Sequence, residues 1–255
     1  NGSTRTRLSI RHCGITFWQR FDGGIAMIVL GLSGSIGMGK STASAMFRRM
    51  GVPVYDSDAS VHVVLGKGGT AVAPIDAAFP GIVVDGAVDR DALGKRVFGD
   101  DAALKKLEAI VHPLVRRRQD DFLKRCAARR VPLAVLDIPL LFEIRLDVRC
   151  DILVVVSAPA RIQAARVLAR PGMTREKFDA ILARQMPDAE KRRRADFVVP
   201  SGRGMRETLR RLTRIARLIH DMTPTRWPPD MFAERTVHRR SPDARNRPRY
   251  RNHRS

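Results

Sequence analysis

The chain is short of cysteine, of aromatic side chains, of acids and of long apolar runs, and each shortage excludes something. Three cysteines among 255 residues, Cys13, Cys126 and Cys150, form no CxxC pair and no Cys/His zinc spacing, so neither a disulfide framework nor structural zinc is expected. They read as small, semi-buried residues of a reducing, cytoplasmic compartment. No apolar run reaches the ~18 residues of a membrane span. Aromatic residues make up 5% of the chain, and no aromatic-rich basic patch or groove-reading motif is present. That argues against generic nucleic-acid binding, even though 47 basic and 26 acidic residues leave a net charge of +21. The excess is uneven: +3 in residues 1–26, +6 in 222–255, and +12 between them. A basic middle suits anionic partners in general: nucleotides, a phosphorylated small molecule, or nucleic acid.

What is present is an alternation. Residues 1–26 show no periodicity and do not open with Met; they read as a disordered extension, a cloning remnant, a misplaced start or an Arg-rich transit peptide. Thr223–Ser255 carries five prolines among arginines, so residues 222–255 read as a disordered basic tail. Between them, strands are expected at Met27–Leu32, Val52–Tyr55, Leu133–Leu136, Ile152–Val156 and Phe197–Val199. Helices are expected at Lys40–Met50, Ala160–Ala169, from Thr174, and at Met205–His220. From 60 to 130 strands are scarce, and Leu104, Leu107, Ile110, Val111, Leu114 and Val115 recur at helical spacing. Strands alternating with helices predict an α/β fold, a mostly parallel sheet of about five strands flanked by helices. The block 60–130 reads as an inserted helical subdomain, within a domain spanning 27–221.

Gly34-Ser35-Ile36-Gly37-Met38-Gly39-Lys40-Ser41 fits G-x-x-x-x-G-K-[ST] at every defined position, between an apolar strand and a helical pattern. Glycines let backbone N–H groups curl around a phosphate chain, and the helix N-terminus adds its positive dipole end. Gly37, Met38, Gly39, Lys40, Ser41 and Thr42 are therefore expected to hold a nucleoside triphosphate. Lys40 would reach the terminal phosphates, the Ser41 hydroxyl would ligate Mg²⁺, and Thr42 would meet the α-phosphate.

The N/T-K-x-D signature of GTPases is absent, and a kinase needs mainly positioning, charge neutralisation and a base. Asp56 and Asp58 follow the second strand, where open α/β sheets bind ligands; Asp58 is the favoured base, while both acids also fit helix capping. Asp137 ends an apolar strand, placed to hold a Mg²⁺-bound water or to orient Lys40. Glu143 follows a rigid Pro139-Leu140-Leu141-Phe142 turn and fits a substrate-facing or a structural role. Arg166 and Arg170, four apart on one helix face, suit a transferring phosphoryl group or a solvated face. His112 fits a ligand or a packed histidine. Arg116–Arg118 and Lys191–Arg194 fit phosphate binding or, as the default, solvated charge runs. On these residues alone the acceptor stays open: a nucleoside, a sugar or another small molecule, with an ATP-gated nucleic-acid binder as the alternative of a different class.

The order and spacing of GLSGSIGMGKST (31–42), VYDSDASVH (54–62), EAIVHPLVR (108–116), LDIPLLFE (136–143), RVLARPGMTREKFDAILARQMP (166–187) and EKRRRADFVV (190–199) resemble the bacterial dephospho-CoA kinases. The resemblance runs from Met27 to about His220. It implies a P-loop kinase core, a helical coenzyme-A-binding subdomain at 60–130 and a mobile lid at 166–187. It implies ATP- and Mg²⁺-dependent phosphorylation of the ribose 3′-hydroxyl of dephospho-CoA, the last step of coenzyme A synthesis. By position, it implies Asp58 as base, Arg166 and Arg170 as phosphate-binding arginines, and His112 in the substrate subdomain. Leu65 and Lys67 stand where the family often has Tyr and Pro, and Pro200-Ser201-Gly202 replaces its usual Asp/Asn turn.

Overall fold

The computed structural model describes residues 27–219 and 222–227. The elements run β1 (Ile28–Ser33), α1 (Lys40–Arg49), β2 (Val54–Asp56), α2 (Ser57–Leu65), α3 (Val72–Ala78), β3 (Val83–Val84), β4 (Ala87–Val88), α4 (Arg90–Val97) and α5 (Asp101–Ala128). They continue with β5 (Leu133–Asp137), a 3₁₀ turn at Leu146–Arg149, β6 (Ile152–Ser157), α6 (Ala160–Leu168), α7 (Arg175–Ala183), α8 (Asp188–Arg194), β7 (Phe197–Pro200) and α9 (Met205–Ile219).

Five strands form one parallel sheet in the order β2-β5-β1-β6-β7, the α/β architecture expected. Its central strand β1 is buried on both faces, which is why it reads as an unbroken apolar run. Ile28, Leu30 and Leu32 pack on one face with Phe47 of α1 and Leu212 and Ile215 of α9. Met27 and Val29 pack on the other with Leu123 of α5, Phe142 and Trp227. Each fully buried aliphatic or aromatic side chain of this kind contributes roughly 1.5–3 kcal/mol relative to exposure. Register then sets the functional rim: Leu32 and Asp56 both lie opposite Asp137, so the carboxyl ends of β1, β2 and β5 finish level.

The insertion between β2 and β5 has a core of its own, built from Val64, Leu65, Ile75, Phe79, Ile82, Leu93 and Val111. Leu65 is part of that core. Asp56, Asp89 and Asp100 cap α2, α4 and α5 by accepting backbone N–H groups of the first turn. Helix α5 runs straight through Pro113.

Three expectations need correction. The insertion is not wholly helical: β3 and β4 form an antiparallel hairpin, turned by Asp85 and Gly86, both at positive φ. That Asp-Gly pair is a hairpin signal the helical periodicity around it obscured. Strand β2 starts later than Val52, because the Val52 N–H closes the turn after α1 on the Phe47 carbonyl. Finally, residues 222–227, assigned to the tail, pack on the domain. Trp227 is 6% exposed, and Asp151 Oδ1 accepts from the Thr225 N–H at 2.6 Å and its hydroxyl at 2.9 Å. One tryptophan anchors a stretch whose average composition is that of a tail. Residues 1–26 and 228–255, with the rest of the expected extension and tail, lie outside the described residues.

Candidate active site

The loop between β1 and α1 borders a cleft of about 540 Å³ at the carboxyl end of the sheet. Gly37 and Gly39 adopt φ of 75° and 92°, a region that side chains disfavour. A Cβ on Gly37 would also stand 2.5 Å from Val167 Cγ2. Only glycine lets the loop lie against α6 and turn its N–H groups inward.

Neighbours hold the loop in this shape. The Ile36 peptide is gripped on both sides: its N–H donates to Gln185 Oε1 at 3.1 Å, and its carbonyl accepts from Gln163 Nε2 at 2.8 Å. The Met38 carbonyl accepts from the Ser201 hydroxyl at 2.6 Å, and Met38 Sδ accepts from the Ala158 N–H. Met38, expected among the nucleotide contacts, is thus an anchor whose side chain turns into the core at 3% exposure.

Lys40, Ser41, Thr42, Asp58, Arg166 and Arg170 all line the cleft, so the structure brings the expected nucleotide and catalytic residues together. Lys40 Nζ lies 2.6 Å from Asp137 Oδ1; of the two roles read for Asp137, orienting Lys40 is the one its geometry displays. Arg166 donates from Nη1 to the Ser201 hydroxyl at 3.0 Å and from Nη2 to the Ser201 carbonyl at 2.9 Å. It is exposed at the rim of the cleft, yet tethered. Its guanidinium is pre-set at the loop by the Pro200-Ser201-Gly202 turn.

Asp56 accepts from the Ala59 N–H and caps α2, which leaves Asp58, in the first turn of that helix, open to the cleft. Desolvation by the cleft walls pushes the Asp58 carboxyl above the ordinary aspartate range. Lys40 works against that shift, and Asp56 and Asp137 add to it.

A second cavity, of about 270 Å³, opens on the other side of Asp58 between α2, α5 and the loop after β5. His112, Arg116 and Gln119 line it, and Asp58 and Pro139 border both spaces. Glu143 is turned elsewhere. Its Oε1 accepts from the Met186 N–H at 2.8 Å and lies 2.9 Å from Lys191 Nζ, so its expected substrate contact is replaced by a structural one. Lys191, expected in a solvated run, is 0% exposed.

Gln163, Gln185 and Gln119 were missed in the sequence, although Gln119 stands on the apolar stripe Val111, Val115, Gln119, Leu123 at helical spacing. A polar residue on such a stripe is the readable signal.

The donor set fits ATP with Mg²⁺. The glycine cradle, the Lys40 ammonium and the Ser41 hydroxyl face one cleft. No group of three or more His, Cys, Asp or Glu able to hold a metal occurs among the described residues. No helix among the described residues is long and apolar enough to cross a membrane.

The family model for dephospho-CoA kinase matches residues 28–207. The chain is 68% identical over 166 residues to a dephospho-CoA kinase of Paramagnetospirillum magneticum, covering 65% of this chain and 78% of the relative. It is 60% identical over 179 residues to that of Mesorhizobium japonicum, covering 70% and 90%. Among solved structures, one from Thermus thermophilus superposes with a TM-score of 0.68 at 40% identity, covering 75% of this chain and 96% of the other. A Campylobacter jejuni dephospho-CoA kinase shares the fold, with a TM-score of 0.53 at 21% identity over 75% and 96%. With the phosphate loop, the level strand ends and the paired cavities already in place, the chain belongs to the dephospho-CoA kinase family.

Proposed function

We propose that Asp58 is the point at which two substrates meet in an enzyme that transfers the γ-phosphoryl group of ATP to the ribose 3′-hydroxyl of dephospho-CoA, giving coenzyme A and ADP. The observation that carries this is that Asp58 borders both the phosphate-loop cleft and the adjoining cavity. A hydroxyl presented from one space and a phosphoryl group from the other can line up at one carboxylate.

ATP lies along Gly37–Thr42, with its terminal phosphates at Lys40, which the buried Asp137 holds in place. The Ser41 hydroxyl, with Asp137 close by on Lys40, would hold Mg²⁺, which would supply charge neutralisation to the phosphates. Asp58 accepts the hydroxyl proton, a role its raised pKa suits. Arg166 and Arg170 offset charge on the moving group. The acceptor's 5′ diphosphate leads away along α5, where Arg116, Arg117 and Lys124 border a hollow of about 450 Å³. Asp120 and Asp121 border the same hollow, Asp120 paired with Arg149, so the cations there outnumber the acids.

The segment 166–187 serves as a lid. Gly172, at φ of 70°, provides the hinge, and Gln185 and Met186 pin the far end to the loop and to Glu143.

The test mixes full-length protein with Mg·ATP and dephospho-CoA and follows products by mass spectrometry. Equal amounts of ADP and coenzyme A are expected. ADP without coenzyme A means another acceptor.

A further inference from the structure

Gln119 is 2% exposed, lies on the apolar stripe of α5 and lines the cavity behind Asp58. Its Nε2 has no hydrogen-bond partner. A buried donor without an acceptor is costly, and native proteins keep few of them without a reason. The rest of that cavity is largely aliphatic: Val61, Val111, Val115, Ile138, Leu140 and Ile144. A leucine at 119 would complete such a wall; a carboxamide there adds a group able both to donate and to accept, beside the polar Ser57 and His112 that also line the space.

The proposed reaction, on which this inference rests, says what fills the cavity. The 3′-hydroxyl must stand at Asp58. The base on C1′ and the diphosphate on C5′ leave the same ribose ring, and the surroundings sort them: the diphosphate takes the hollow bordered by Arg116 and Arg117, which leaves the base for the mainly aliphatic cavity. Small-molecule sites usually span ~300–1,000 Å³; at about 270 Å³ this one has room for a ring system and not for the whole acceptor. Aliphatic walls suit the faces of a purine, and a carboxamide suits the 6-amino group and N7 of adenine, accepting from the first and donating to the second.

We infer that Gln119 reads the acceptor's base, so that the enzyme separates adenine from hypoxanthine acceptors through this one side chain. A hypoxanthine ring offers a carbonyl oxygen where adenine offers an amino group, which leaves the Gln119 oxygen without its donor.

The experiment compares kcat/KM for dephospho-CoA and for its hypoxanthine counterpart, using the full chain with saturating Mg·ATP. Wild type is expected to favour adenine by about 10- to 100-fold. Gln119→Met, close in size and shape, should bring the two acceptors to within about threefold by slowing the adenine compound, with KM for ATP unchanged. Equal rates on both acceptors in wild type overturn the inference, as does full preference in Gln119→Met. Failure of the kinase reading is a different result: coenzyme A from neither acceptor.

Should Gln119→Met fail to fold, by its melting curve, binding to wild type carries the test. With the nucleotide cleft filled by a non-hydrolysable ATP analogue, adenosine is expected to bind at least about tenfold tighter than inosine, and equal affinities overturn the assignment.

Discussion

Lys40 Nζ stands 2.6 Å from Asp137 Oδ1, and Asp137 is 3% exposed, so a buried carboxylate at the end of β5 aims the cation of the phosphate loop. A charge-assisted bond of this kind is worth about 1.5–3 kcal/mol. Asp137→Asn keeps the shape and removes the charge; kcat is expected to fall about 10- to 100-fold. Lys40→Ala, which removes the cation itself, should cost about 10²–10³-fold. Steady-state kinetics check both, and a larger loss in Asp137→Asn than in Lys40→Ala would contradict the order.

Asp58 must be ionised to accept a proton, and burial raises its carboxyl above the ordinary value. Activity is therefore expected to fall with pH at a higher pH than an ordinary aspartate would give. Asp58→Asn should lower kcat about 10²–10⁴-fold, erase that acid limb and leave KM for ATP unchanged. A pH–rate profile of the two proteins decides it; the same limb in both would assign it elsewhere.

Glu143 and Lys191 form a pair in which the lysine is wholly buried. Losing one partner strands a charge, so Glu143→Leu or Lys191→Met alone is expected to cost about 3–5 kcal/mol. The double variant should recover most of it, because two apolar side chains replace a pair whose desolvation is already expensive. Urea unfolding of the four proteins measures the coupling, and strict additivity of the single losses would show that the two side chains do not interact.

Trp227 fills the side of the core formed by Met27, Val29 and Leu123. A chain ending at residue 221 loses that ring and both Thr225 bonds to Asp151. It should be about 3–5 kcal/mol less stable than one ending at 227, read from the same kind of unfolding curve. Equal midpoints would show the contact to be idle.

Cys126 and Cys150 are buried, and desolvation raises both thiols. Less thiolate and no access make both slow nucleophiles. Under native conditions neither should be labelled by a thiol reagent within minutes, while both react after unfolding. Peptide mapping of the labelled sites is the readout.

Much of this was legible in the chain. The phosphate loop carries its own punctuation, glycines between a strand and a helix, so its place and chemistry followed from local rules. Asp58 was favoured over Asp56 because the residue nearer the strand is the natural cap, and Asp56 does cap α2. What was hidden depends on partners far along the chain. Lys191 sits among four consecutive basic residues, and nothing local says which one turns inward; Glu143 decides it. That Arg166 is tethered to Ser201 was equally unreadable, because Ser201 arrives from the turn after β7. Asp85-Gly86 was readable as a hairpin turn and was masked by the helices around it.

The backbone N–H and carbonyl of Ile36 are held by Gln185 and Gln163, two amides that neither titrate nor attract counter-ions. Salt screens charges and leaves such bonds intact. This stretch of the phosphate loop is thereby insensitive to ionic strength, and what sensitivity the loop has lies with the charged side chains around it, Lys40 on Asp137 and Arg166 on Gly37 and Ser201.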